Sequence, residues 1–275
     1  MNDFILKTIG HSINIISYIS PRSAAEASLN IFSSPRKGKI APMQADFLDS
    51  ALKEELLFDD LPIMTYRWTG KNKTVLLVHG WESNAFRWKK LIGELQNKDH
   101  EVIALDAPAH GDSGSKFFNA LLYAEFINVV SNRFNPEVII GHSVGGMASV
   151  FSQYNYPQVQ LKKLVLLGSP AHFNDALQRY VDMMGYNKKV HQTMKSIIHE
   201  RYDHDSSHFS TAKFAKTINA EGLIIHDEKD KIVPFNDAQL ISSNFQNSKL
   251  ISFTGSGHSL NNHTVHNYIL EFING

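Results

Sequence analysis

The segment with the clearest chemical character is Val138-Ile139-Ile140-Gly141-His142-Ser143-Val144-Gly145-Gly146, in which a serine stands between two glycines at two-residue spacing. An apolar run precedes it and a helical pattern follows, so the spacing predicts Ser143 on a sharp strand-to-helix turn. A crossing that tight leaves no room for larger side chains beside the serine, which accounts for the glycines. The strain of such a turn holds the hydroxyl out above the sheet, at the positive end of the following helix. A hydroxyl presented in this way suits nucleophilic attack on a carbonyl carbon. Glycine-rich turns of this kind also serve as tight connections or phosphate cradles. The chain has no P-loop or dinucleotide fingerprint and no metal-ligand spacing of the HExxH kind, so neither cofactor nor metal is expected.

A serine hydroxyl is a weak nucleophile near neutral pH and needs a base to take its proton during attack. With 14 histidines, composition does not choose the base; position does. His258 stands in Gly255-Ser256-Gly257-His258, after the last apolar run and before the final helical stretch, where a loop at a strand end brings an imidazole to Ser143. His263 and His266 fall within that final helix and read as solvated surface residues. His79 and His142 adjoin motif glycines and read as packed, hydrogen-bonded side chains. The base needs a carboxylate to fix its tautomer and stabilise the imidazolium. Asp227, Glu228 and Asp230 compete for that role in the segment from Leu223 to Pro234. The intermediate's negative oxygen calls for two aimed donors. One is the backbone N–H of Val144, next after the serine; the other belongs to the loop after the first buried apolar run.

The elements that must position these residues are legible in the apolar pattern. Ile63 to Trp68 alternates as a half-exposed strand does, and Val75 to Val78 is a continuous apolar run suited to a strand buried on both faces. Similar runs recur at Val102 to Leu105, Val138 to Ile140, Leu164 to Leu167, Leu223 to Ile225 and Leu250 to Phe253. Helical stretches lie between them, at Phe86 to Leu95, Ala120 to Phe134 and Val144 to Tyr154. This alternation predicts an α/β fold with a mostly parallel central sheet covered by helices on both faces. Right-handed crossovers then put the strand C-termini at one edge, where ligands bind. About fifty residues between Pro170 and Leu223 break the pattern, with helices expected at Ala176 to Met184 and Lys188 to Tyr202. A helical insertion over about 171–220 would lie across the strand ends as a lid. Residues 1–60 read as an appended helical extension and 61–275 as the catalytic domain. In the extension, Ile5, Ile9, Ile13 and Ile16 follow helical spacing, Ser20-Pro21 opens a second helix, and Phe47 to Leu57 reads as a short third one.

Three motifs in order resemble the α/β-hydrolase family of esterase- and lipase-like serine hydrolases: Val78-His79-Gly80-Trp81, Asp106-Ala107-Pro108-Ala109-His110-Gly111-Asp112-Ser113, and Gly141-His142-Ser143-Val144-Gly145. The resemblance runs from about residue 60 to the C-terminus. It implies the α/β-hydrolase fold, with acid and base following the nucleophile in the chain. The acid in the family commonly precedes a short apolar-proline stretch by two residues, which matches Asp230 before Ile232-Val233-Pro234; Asp227 then reads as a solvated loop charge. The second oxyanion donor implied is the backbone N–H of Trp81. Asp106 and Asp112 are expected to fix loop geometry. The triple glycine of the hormone-sensitive-lipase-like esterases is missing from His79-Gly80-Trp81. Dehalogenases and epoxide hydrolases of this fold carry aspartate where Ser143 stands.

Composition narrows the partners. The chain has 275 residues, and Lys+Arg and Asp+Glu are equal at 27 each, a balance that argues against nucleic acid. There is no cysteine, which excludes disulfides and thiolate metal sites. The first twenty residues fit neither a membrane span nor a signal peptide well. They read as an amphipathic helix folded back on the body, with a membrane-surface anchor as the alternative, and a cytoplasmic location is expected. The expected substrate is a small ester-like molecule. Phe173, Tyr180, Met183, Met184 and Tyr186 in the insertion favour an apolar acyl or alcohol group. The sequence leaves a homo-oligomer open. The same triad would serve thioester, amide or carbon–carbon cleavage or acyl transfer, and a binding protein on this fold is the rival class.

Overall fold

The computed structural model describes residues 3–275. The apolar runs pair into one sheet: β1 (Leu52–Phe58), β2 (Leu61–Trp68), β3 (Thr74–Val78), β4 (Glu101–Leu105), β5 (Val138–His142), β6 (Lys163–Leu167), β7 (Glu221–Asp227) and β8 (Ser248–Phe253). Their order is β1-β2-β4-β3-β5-β6-β7-β8. Pairing is antiparallel from β1 through β2 to β4 and parallel from β4 onward. The helices are α1 (Asp3–Ile19), α2 (Pro21–Ser33), α3 (Pro42–Leu48), α4 (Lys89–Gln96), α5 (Ala120–Phe134), α6 (Val144–Asn155), α7 (Phe173–Met184), α8 (Lys188–Tyr202), α9 (Thr211–Phe214), α10 (Phe235–Asn244) and α11 (His263–Asn274).

Both sheet faces are covered, which is why the central strands read as unbroken apolar runs rather than alternating ones. Val75, Leu77, Val102, Ala104, Ile140 and Val165 share a core with Leu91, Ile92 and Leu95 of α4 and with Val265, Ile269 and Ile273 of α11. The opposite face carries α5 and α6, which pack on one another and on β3 and, for α6, on β5 and β6. The C-terminal ends of β3, β5, β7 and β8 lead into the loops that bear Trp81, Ser143, Asp230 and His258.

Two local expectations are corrected. Phe47 to Leu57 is not a helix: α3 ends at Leu48 and β1 begins at Leu52. Leu52, Leu56, Lys53, Glu54 and Glu55 have a composition that suits a helix, but full-length pairing to β2, from Leu52 opposite Arg67 to Phe58 opposite Leu61, overrides it. In α1 the buried stripe is Leu6, Gly10, Ile13 and Ser17, while Ile5 and Ile16 are exposed.

The chain divides into two compact units, one built from the N-terminal stretch up to Ser34 with His172–Ser210, the other from Pro35–Ala171 with Thr211–Gly275. In the first, α1 and α2 share a core with α7 and α8. Asn14 donates to the carbonyl of Gly185 at 2.9 Å and accepts from the N–H of Asn187 at 2.8 Å. These bonds and the close approach at Gly10 set the rotation of α1, which spacing of isoleucines alone does not reveal. Tyr180, Met184 and Tyr186 are buried in this unit, and the Tyr180 hydroxyl bonds the Ser28 carbonyl at 3.2 Å. Their apolar surface is therefore spent on helix packing, and they no longer argue for an apolar substrate group. Among the described residues no helix is long and apolar enough to cross a membrane.

A methyl group at Gly10 would lie 1.7 Å from the carbonyl oxygen of Met184. In a free helix Gly→Ala adds about 1 kcal/mol of stability. Here Gly10→Ala should instead destabilise the helical unit by about 1–3 kcal/mol, read as earlier urea unfolding and faster proteolysis within α1. A stabilised variant would show that α1 is not seated at Met184.

Candidate active site

Ser143 sits between β5 and α6 with φ 54° and ψ −127°, a left-handed conformation that non-glycine residues rarely adopt. Such a conformation costs about 1–3 kcal/mol and persists only where the surroundings over-determine it. The Ser143 N–H donates to the Leu167 carbonyl on β6 at 2.8 Å, and its carbonyl accepts from Gly146 at 3.0 Å. A side chain on Gly141 would start 2.5 Å from the Gly146 Cα, so this crossing requires glycine.

His258 lies in the single turn Gly257–Ser259 after β8. Its Nε2 is 3.0 Å from Ser143 Oγ and its Nδ1 is 2.7 Å from Asp230 Oδ2. Asp230 accepts as a carboxylate, so Nδ1–H donates to it and Nε2 is left to accept from the serine hydroxyl. The other oxygen, Oδ1, accepts from the N–H groups of Ile232 and Val233 at 2.7 and 3.0 Å. Burial acts to raise the Asp230 pKa, but the bonds from His258, Ile232 and Val233 outweigh it and hold the carboxyl below its usual range. The Asp230–Ile232–Val233–Pro234 spacing thus has a local cause: the chain folds back so that its own N–H groups aim the carboxylate.

Asp227, expected as a solvated charge, is buried. Its Oδ2 accepts from Ser256 and Gly257 at 2.6 and 2.7 Å, and its Oδ1 from Lys229 at 2.8 Å. Burial raises its pKa less than these donors lower it. Asp227 therefore ties the loop bearing His258 to the end of β7. His266, expected on the surface, is 2% exposed and bonds Asn261 Oδ1 at 3.1 Å. Its Nδ1 also lies 3.2 Å from Glu94 on α4, a neighbour too remote in sequence for a helical pattern to show. His263 is exposed.

Val144 is the first residue of α6, so its N–H has no place in the helix's own ladder. On the other side of the nucleophile, a Cβ at Gly80 would stand 3.0 Å from Ser143 Cβ, so the backbone leading into Trp81 passes directly beside the serine. The Trp81 ring packs edge-on to His110 and Phe118. His79 donates from Nδ1 to the Gly80 carbonyl at 2.7 Å and accepts at Nε2 from Ala107 at 2.9 Å. Burial pushes its pKa down to about 3, so it stays neutral. Asp106 accepts from Ala85, Asp112 and the Tyr66 hydroxyl at 2.9, 3.0 and 2.9 Å and so fixes the loop that follows β4. His142 is buried and bridges the Arg87 side chain and the His258 carbonyl at 2.9 and 2.8 Å. Arg87 carries no motif signal in the sequence. Among the described residues no group of three or more His, Cys, Asp or Glu is arranged to hold a metal ion.

Residues 75–266 match the sequence model of the Alpha/beta hydrolase family, and the chain belongs to that family. It is 25% identical over 229 residues to the uncharacterized hydrolase YugF of Bacillus subtilis (strain 168), covering 68% of this chain and 83% of that one. Among solved structures it resembles the esterase EaEST from Exiguobacterium antarcticum, with a TM-score of 0.63 at 19% identity, over 82% of this chain and 100% of that one. It also resembles the thioesterase domain from the curacin biosynthetic pathway, with a TM-score of 0.60 at 17% identity, over 82% and 99% of the two chains. At these identities the structural likenesses speak to the fold.

His79 and His142 are both held neutral below the usual histidine range, chiefly by burial. An unfolded histidine titrates near ~6.5. Each therefore contributes stability that is complete above about pH 6.5 and is lost below it, by up to ~1.4 kcal/mol per group per pH unit until the folded pKa is reached. The urea midpoint should fall steadily from pH 7 to pH 5, and His79→Gln should flatten the fall. A midpoint independent of pH over that window would contradict the neutral, buried assignment.

Proposed function

We propose that this protein is a serine hydrolase that cleaves small carboxylic ester-type substrates through an acyl-enzyme on Ser143. The observation that carries this reading is the continuous hydrogen-bond chain from Ser143 Oγ through His258 to Asp230, at 3.0 and 2.7 Å. In the proposed reaction Ser143 Oγ attacks the ester carbonyl carbon while its proton passes to His258 Nε2. The carbonyl oxygen gains the negative charge and is received by the N–H groups of Val144 and Trp81. The carbon–oxygen bond to the leaving alcohol then breaks, and His258 returns its proton to the departing oxygen. Water, deprotonated in turn by His258, attacks the acyl-enzyme and releases the acid and free Ser143. Asp230 stays ionised throughout and stabilises the imidazolium.

The strained turn supports this reading, because it presents the hydroxyl where a relaxed helix start would not. Family membership and the hydrolase name of the Bacillus subtilis relative point to the same class.

Hydrolysis of p-nitrophenyl esters from acetate to long acyl chains should be measurable with the native protein. Ser143→Ala should lower kcat by about 10³–10⁶-fold with the fold retained. Undiminished turnover by the pure variant would remove Ser143 from the reaction. If the folded native protein cleaves none of the series, a different bond or a binding role takes the place of ester hydrolysis.

A further inference from the structure

Arg87 lies on the short turn Ala85–Trp88 after β3. Its NH1 is 2.9 Å from His142 Nδ1 and its NH2 donates to the Ser259 carbonyl at 2.9 Å. The guanidinium rests 4.6 Å from the centroid of the Trp88 ring. Among the described residues no carboxylate forms an ion pair with it. Burial lowers its pKa to about 10, which still leaves it a cation at neutral pH.

A guanidinium donates and does not accept. The nitrogen of His142 that faces it must therefore carry a lone pair, and the single ring proton of neutral His142 sits on Nε2. Nε2–H then donates to the backbone carbonyl of His258 at 2.8 Å. His142 precedes the serine, and His258 and Ser259 are the loop opposite it, so the two sides of the site are joined by one arginine-fixed imidazole. A second tie runs from the Asn261 side chain to the Arg87 carbonyl at 3.2 Å. Neither hydrogen bond of the His258 ring holds its own backbone; Arg87 and His142 do so from one side and Asp227 from the other.

We infer that Arg87 is a positioning residue, which sets the tautomer of His142 and through it clamps the loop carrying His258 against the Ser143 turn. Its effect on rate rests on the serine-hydrolase reading; its effect on tautomer and loop does not. An arginine here is more than a generic cation, because two separate donors of one planar fork reach the end of β5 and the loop after β8 at once.

The test uses the full chain with Arg87→Met and Arg87→Lys. Imidazole ¹⁵N–¹H correlation spectra of the native protein at pH 7 should show His142 protonated at Nε2 alone. A proton on Nδ1 would overturn the inference whatever the activity. In Arg87→Met, amide exchange of Gly257 to Leu260 should speed up about tenfold or more. The kcat for a p-nitrophenyl ester should fall about 10–100-fold with KM little changed. Arg87→Lys, which keeps only one of the two contacts, should show the same signs at smaller size and covers the case in which the methionine variant fails to fold. Unchanged exchange, or unchanged kcat in a protein whose native form is active, would overturn the clamp. A native protein that cleaves no ester would defeat the esterase reading instead, while tautomer and exchange would still decide the role of Arg87.

Discussion

The backbone of one residue organises this site. Ser143 is held at φ 54°, where a side chain with a Cβ is strained, and the sheet around it is what makes that conformation persist. Its N–H is claimed by β6, the glycines at 141 and 146 let β5 and α6 close on each other, and Gly80 brings the loop after β3 alongside. Had β5 been an edge strand, the turn could have relaxed. In the middle of a parallel sheet it has strands fixed on both sides, β3 and β6, and the hydroxyl is left pointing out of the strand ends.

The same parallel arrangement brings partners from far along the chain. Asp230 and His258 follow β7 and β8, and their loops are tied together by Asp227, whose buried carboxylate is satisfied by three backbone N–H groups. The charges near the serine are managed by hydrogen bonds rather than by ion pairs with basic side chains. Donors hold Asp227 and Asp230 ionised against the pull of burial, while His79 and His142, buried and neutral, each bond a donor and an acceptor. A buried polar network of this kind is stabilising only when every member is satisfied, which makes the site rigid and also sensitive to any single substitution.

Much of this was legible in the sequence because burial on both faces leaves a strong signal. The unbroken apolar runs at Val75 to Val78, Val138 to Ile140 and Leu164 to Leu167 are the strands around the serine, and the glycine spacing around Ser143 marks the crossing. The edge of the sheet was not legible: β1 is a half-exposed strand with Lys53, Glu54 and Glu55 in it, and only its pairing to β2 makes it a strand. Nor was the rotation of α1, which depends on Gly10 and Asn14 meeting residues about 170 positions away. Asp227 and Arg87 escaped because their partners are backbone atoms and a histidine ring, which no residue-type pattern records. Asp230 was distinguishable through the family resemblance of its place before Ile232-Val233-Pro234, a spacing whose local cause is the N–H groups of Ile232 and Val233 on its carboxylate.

The central claim is that Ser143 is a nucleophile activated by His258. Intact-mass measurement after exposure to a fluorophosphonate, followed by peptide mapping, tests it without choosing a substrate, because the reagent needs only an activated hydroxyl. One phosphonyl group on the peptide containing Ser143, formed far more slowly in His258→Ala, is the result predicted. A folded native protein that gains no mass, or that gains it at another residue, would contradict the claim.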